Sequence, residues 1–183
     1  MSEVSDRYAR VADGFGARLS PMSGDMWSAP SPCAEWTARD IVVHVINVHR
    51  RVRATLGDVS AADVDPDSHL EAQWSSATDA IRTALADEAL AAQVVGGMFG
   101  EQPFESLVGR LLCSDTLVHT WDLARATGQD DRLDKAACEK AIEFLTPIDE
   151  AIRRPGGFGP KLEAPPGADA QARLLAFAGR SSC

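Results

Sequence analysis

The sequence predicts an all-α fold, and three observations carry that prediction. Apolar residues recur at spacings of three and four through successive segments, the mark of helices with one buried face. Proline, glycine and aspartate punctuate the boundaries between those segments. The chain has 183 residues, the size of one ordinary domain that buries most of its apolar surface without staples. The simplest arrangement is a single antiparallel helical bundle over residues 1–183.

Each element follows from its own residues. Tyr8, Val11, Phe15 and Leu19 share one face of a helix over residues 4–19, which Pro21 and Gly24 break. A Pro- and Ser-rich connection follows, up to Cys33. Thr37 is a good N-cap for a second helix, and Asp40 favours its positive end. Ile41, Val45, Val48, Val52 and Leu56 form the stripe of that helix, and Gly57-Asp58 ends it. A polar loop with Pro66 leads to a third helix, about residues 68–87, with Leu70, Trp74, Ala77, Ile81 and Leu85 inside. Residues 94–103 hold three glycines and allow only short extended structure. A fourth helix over about residues 104–127 is stopped by Gly128 and Asp130-Asp131. A fifth, about residues 135–153, bends near Pro147, and Gly156-Gly157-Phe158-Gly159-Pro160 makes a loop. A short helix over residues 169–178 closes the series.

Composition excludes several classes of function. Lys and Arg total 18 against 27 Asp and Glu, a formal net charge of −9. Such a chain repels phosphate backbones and anionic membranes, so neither nucleic acid nor a membrane is an expected partner. No apolar run is long enough to span a bilayer, and the first residues lack a signal core. Cys33, Cys113, Cys138 and Cys183 are widely spaced with no CxxC pair, which argues against a disulfide framework or a Cys-based zinc site. Cys183, as the last residue, is expected to be exposed. The expected compartment is a reducing cytoplasm.

The fourth helix carries the chemistry. With Phe104 at zero on a wheel of about 100° per residue, Leu107, Val108, Leu111 and Val118 fall within about 60°. Asp115 and Asp122 fall near the middle of that stripe and His119 at its edge, while Cys113 lies opposite. A lone buried carboxylate is costly, so something must compensate it. A metal ion held by a carboxylate and an imidazole on successive turns does so; a buried Asp–His hydrogen bond, or a salt bridge to Arg125 or an N-terminal Arg, does so too. A third ligand must come from His44, His49 or His69. His44 and His49 flank the stripe of the second helix on opposite sides, and periodicity does not choose between them. His69 sits at the solvated start of the third helix. Asp122, three residues after His119, is placed to fix a ring tautomer or to anchor Arg18 or Arg125. Trp36, Trp74 and Trp121 belong to the core or its rim. Trp121, about 100° off the inner face, is placed to line a groove, and Asn47 is a pocket-lining candidate one turn beyond His44. Cys33 and Cys113 have no basic neighbour arranged to activate them.

Two motifs resemble a known family. Trp36-Thr37-Ala38-Arg39-Asp40-Ile41-Val42-Val43-His44 resembles the second-helix signature of the DinB-like fold, and more closely that of the N-terminal domain of mycothiol-dependent maleylpyruvate isomerases. Asp115-Thr116-Leu117-Val118-His119-Thr120-Trp121-Asp122 resembles its second signature, an acidic residue four before a His, then an Asp. The tail, from Phe158-Gly159-Pro160 through Leu174-Leu175 to Gly179-Arg180, resembles an actinobacterial subfamily of uncharacterised proteins. The resemblance implies a four-helix bundle with a long crossover connection plus short C-terminal helices. It implies a divalent metal held by His44, Asp115 and His119, and so selects His44 over His49. Zn²⁺ is the default ion, with Ni²⁺ or Fe²⁺ compatible with the same ligands. It also implies a low-molecular-weight thiol such as mycothiol as cosubstrate and an electrophilic small molecule as its acceptor, hence a thiol S-transferase. A metal-dependent hydrolase and a non-catalytic module with a relic site are the other two classes. Two departures stand out. The family's acidic ligand is usually Glu, one methylene longer than Asp115, and 183 residues leave no room for the isomerase's C-terminal domain. A monomer and a homodimer are equally compatible with the sequence.

Overall fold

The structure is a computed structural model that describes residues 2–97, 99–153 and 158–181. Gly156 and Gly157 of the expected loop, and Cys183, lie outside the described residues. Helix α1 (Glu3–Leu19) begins at Ser2, whose hydroxyl accepts the Ser5 N–H. Helix α2 (Ala38–Ala54) begins at Thr37 as expected, in a full capping box with Asp40. Then come α3 (Leu70–Ala86) and α4 (Glu88–Ala92), the latter capped by the Asp87 carboxylate. The glycine-bearing stretch holds two short antiparallel strands, β1 (Val94–Val95) and β2 (Gln102–Pro103), with Val94 opposite Pro103.

The expected fourth helix is one rod with a defect in it. It consists of α5 (Phe104–Leu107), a π-turn (Val108–Leu112) and α6 (Cys113–Thr127), and Gly128 ends it in the left-handed conformation at φ 68°. The fifth helix is broken at Pro147 rather than bent. It divides into α7 (Lys135–Leu145), a 3-10 turn (Thr146–Ile148) and α8 (Asp149–Ile152). Helix α9 (Ala170–Phe177) is capped by Asp169.

Four helices, α1, α2, α3 and α6, form the bundle. Helix α1 packs against α3 and α6, and α2 packs against the same two. The connection between α2 and α3 runs back along α2. Arg50 donates to the Ala62 carbonyl, Asn47 accepts from the Val64 N–H, and Arg39 donates to the Pro66 carbonyl. Helix α3 therefore leaves in the same direction as α2, which is the long crossover. Helix α1 runs opposite to α3, with Asp13 paired to Arg82 and Phe15 against Trp74. It runs alongside α6, since Arg7 and Val4 lie by Gly109 while the Arg18 carbonyl accepts from Gln129.

The core has two parts. The larger lies inside the four-helix bundle and includes Tyr8, Phe15, Ile41, Ile46, Ile81, Phe104 and Leu112. The second packs α7 and α9 on the far side of α6, through Leu117, Val118, Cys138, Leu145 and Leu174. Helix α6 is thus covered on both sides, and between residues 113 and 124 every residue but Asp115 is buried. This corrects the wheel for Cys113, which is buried in the main core rather than turned away from it. Leu111 is half-buried while Leu112 is fully buried. The π-turn takes one extra residue, so each later side chain is rotated by about 100° from its place on a regular wheel. The stripe of α2 also shifts: Val48 is half-buried and His49 is fully buried in its place. Among the described residues no helix is long and apolar enough to cross a membrane.

Candidate metal centre

The facing sides of α2 and α6 bring His44, Asp115 and His119 together. His44 Nε2 lies 3.2 Å from Asp115 Oδ1, and His119 Nε2 lies 3.7 Å from the same oxygen. The donor atoms of all three residues lie within 4.8 Å of one another. The imidazoles meet edge-on with ring centroids 4.7 Å apart. Asp115 Oδ2 is buried with no hydrogen-bond partner in the described structure. Burial works to raise the Asp115 pKa, but the positive charge of the His119 ring in its doubly protonated form and the hydrogen bond from His44 prevail and hold it below the usual carboxylate range.

The loop before α2 closes one side of the cluster. Ala38 N–H bonds the Ala29 carbonyl, Ser31 N–H bonds that of Trp36, and Glu35 takes the left-handed conformation at φ 66°. This turn sets the Trp36 ring over both imidazoles, 5.0 Å from His44 and 5.7 Å from His119, nearly parallel to the latter.

Behind His119 the support is ionic. Asp122 Oδ2 lies 3.0 Å from His119 Nδ1 and Asp122 is fully buried. In the neutral ring Nδ1–H donates to this carboxylate, which leaves Nε2 as a lone pair facing Asp115. The expectation that Asp122 anchors Arg18 or Arg125 is corrected. Arg18 bonds the Asp130 and Arg132 carbonyls and Arg125 pairs with Asp131. The cation on Asp122 is Arg180, through Nε to Oδ1 at 3.2 Å and Nη2 to Oδ2 at 2.8 Å. Burial works to raise the Asp122 pKa, but the hydrogen bonds from His119 and Arg180 outweigh it and bring it down to about 2.

Cys33 joins the same group. Its thiol donates to Asp122 Oδ2 at 3.2 Å and its sulfur accepts from Arg180 Nη2 at 3.0 Å. Burial, and then the Asp122 charge, push its pKa up to about 12, so it stays a protonated thiol. Cys33, His119 and Asp122 also converge within 4.8 Å. There the Arg180 guanidinium already sits against both the sulfur and the carboxylate, where a cation would bind.

The remaining sequence candidates fall elsewhere. Asn47 holds the crossover connection through the Val64 N–H at 2.8 Å. Trp121 is buried, with the Arg125 guanidinium 5.7 Å from its ring centre. His69 is exposed. His49 is a core residue, its Nδ1 2.8 Å from the Val45 carbonyl and its ring packed on Trp74 and Tyr8. Sequence reasoning missed Arg180 and set Cys33 aside. The one available signal was the Gly179-Arg180 pair. Gly179 has φ 77°, and a Cβ there would meet the Pro160 carbonyl at 2.7 Å, so only glycine brings the tail in this close.

Fold and site together define an up-down-down-up helical bundle with a His/Asp constellation between two facing helices. The family model of the mycothiol maleylpyruvate isomerase N-terminal domain matches residues 8–124, and the chain belongs to that family. Two relatives, uncharacterized proteins from two strains of Mycobacterium tuberculosis, are each 32% identical over 183 residues, covering 95% of this chain and 96% of their own. No solved structure matches the chain significantly.

Proposed function

We propose that this chain is a cytoplasmic, divalent-metal-dependent thiol S-transferase, with His44, Asp115 and His119 as ligands, Zn²⁺ as the resident ion, and mycothiol or a similar small thiol as cosubstrate. One observation carries the metal reading. Asp122 fixes His119 Nε2 as an acceptor, and that acceptor faces the Asp115 carboxylate at 3.7 Å, too far for a hydrogen bond. Two acceptors aimed at each other in a partly buried site are relieved by a cation. The orphaned Asp115 Oδ2 offers a further lone pair, and two imidazoles with one carboxylate form a donor set that leaves positions open.

A divalent ion bound by this set supplies the Lewis acidity that deprotonates a thiol at neutral pH. The chain's own residues do the rest. Asp122 holds the His119 proton at Nδ1, Trp36 packs over both rings, and Asp115 supplies the negative charge. The family membership supports a thiol as the partner, and the transfer that follows is attack of its sulfur on an electrophilic carbon: the C–S bond forms as a leaving group departs with its electron pair, or as a C=C π bond or an epoxide C–O bond opens and takes up the proton lost by the thiol.

A thermal-shift screen of metal-free protein with single divalent ions, with and without thiol, tests this. One ion present at about 100 times its Kd adds about 2.7 kcal/mol, a shift of roughly 5–10 °C at this chain length. The thiol is expected to add to that shift only when the ion is present. Freshly purified protein without stoichiometric metal, together with no binding in equilibrium dialysis, defeats the reading. Turnover of model esters unaffected by thiol reassigns the site to hydrolysis.

A further inference from the structure

The matched family segment ends at residue 124, yet the group that completes the support of His119 comes from residue 180. We propose that Arg180 is a positioning residue of the metal centre, holding Asp122 in the orientation that keeps the His119 proton on Nδ1, so that the C-terminal tail sets the affinity of the site. The inference rests on the metal reading above and extends it to a part of the chain that reading does not need.

The geometry is that of a fork on a carboxylate. Nε and Nη2 of Arg180 reach Oδ1 and Oδ2 of Asp122, and this pair of bonds fixes the carboxylate plane. The guanidinium is itself held, with Nη1 donating to the Ala178 carbonyl at 2.7 Å and the backbone N–H bonding the Leu175 carbonyl. Its remaining contacts are the Cys33 sulfur and the Phe158 ring, 5.8 Å away. Asp122 is fully buried, and the Arg180 side chain is only 11% exposed, so solvent screens this pair little. Without the fork, the donors left to the Asp122 carboxylate among the described residues are His119 and Cys33, both on Oδ2, and nothing fixes Oδ1. The His119 ring then loses the partner that selects its tautomer. An imidazole carrying its proton on Nε2 presents no lone pair to the His44–Asp115 side.

Arg180→Met keeps the bulk of the stem and removes the fork, whereas Arg180→Lys keeps the charge without the paired geometry. Gly179→Ala keeps the arginine and displaces the tail through the Pro160 contact. Each folded variant is examined in two ways: competition for Zn²⁺ with a chromogenic chelator, and ¹⁵N shifts of the histidine rings in metal-free protein. Arg180→Met is expected to weaken Zn²⁺ binding 10–100-fold, in the range found for residues that orient metal ligands. It is also expected to turn the single Nδ1–H form of His119 into a tautomer mixture. Arg180→Lys should recover part of the affinity, and Gly179→Ala should lose part of it. Unchanged affinity with His119 still in the Nδ1–H form in Arg180→Met, or in Gly179→Ala should the first not fold, overturns the proposal. Should the parent protein bind no metal, the metal reading fails by itself, and the ring shifts alone still decide whether Arg180 sets the tautomer.

Discussion

His49 makes acid stability a quantitative test of the packing. The ring is fully buried between Tyr8 and Trp74, its Nδ1 bonds the Val45 carbonyl, and among the described residues its Nε2 has no partner. Burial drives its pKa from 6.5 down to about 4, against a smaller opposing pull from the Val45 bond. The sign follows from linkage. A histidine depressed in the folded state contributes stability that is fully present above the unfolded pKa and is lost as pH falls through the folded one. Between pH 8 and pH 5 this group alone should cost about 2 kcal/mol, and about 3 kcal/mol by pH 4. His49→Leu removes the titration, and it removes the orphaned Nε2 with little change of volume. The variant should therefore match or exceed the parent at pH 8 and lie about 2 kcal/mol above it at pH 5. Urea unfolding at pH 8, 6, 5 and 4, with chelator present to remove metal linkage, measures both curves. Parallel pH profiles for parent and variant would refute the reasoning, because they would mean that the ring gains its proton without unfolding the protein.

Two further outcomes follow from the loop that carries Trp36. Glu35 is exposed and pays the left-handed penalty of a residue with a Cβ, roughly 1–2 kcal/mol, while glycine there gives back part of the gain as unfolded-chain entropy. Glu35→Gly should raise stability by roughly 0.5–1 kcal/mol in urea unfolding, and a loss of that size would contradict the strain. Cys33, with its pKa near 12, should react with iodoacetamide at pH 8 about a thousand-fold more slowly in the folded protein than in urea. Peptide mass spectrometry follows the label, and comparable rates in the two states would show that the thiol is not held by Asp122 and Arg180.

Much of this was legible in the sequence because helices write their faces locally. Tyr8, Phe15 and Leu19, the Thr37–Asp40 cap and the Gly128 stop follow from spacing and backbone preference, and the structure has them in those roles. Asp115 and His119 stood out as ionisable groups on an apolar helix, which is a conflict that can be read without a structure. The ring over them could not be read in the same way. Trp36 reaches both imidazoles only because residues 29–37 fold back on themselves through a turn that places Glu35 in the left-handed region.

By itself the sequence determined an all-α chain, an acidic composition and two helices that each carry ionisable residues beside an apolar stripe, since these depend on period, charge and local capping; that the two motifs face each other was implied only by the family resemblance. The tertiary structure alone decided the rest. His44 and His49 both border the apolar stripe of α2, and periodicity does not separate them; the family resemblance pointed to His44, and the packing of α2 on α6 and α3 is what sends it to Asp115 and His49 into the core. The π-turn buries Cys113 in the main core, where a regular wheel turns it outward. Asp122 finds its cation 58 residues away at Arg180 and a thiol 89 residues away at Cys33. Periodicity reports which way a side chain faces from its own helix. What meets it there depends on which other elements pack against that face, and no local pattern encodes that.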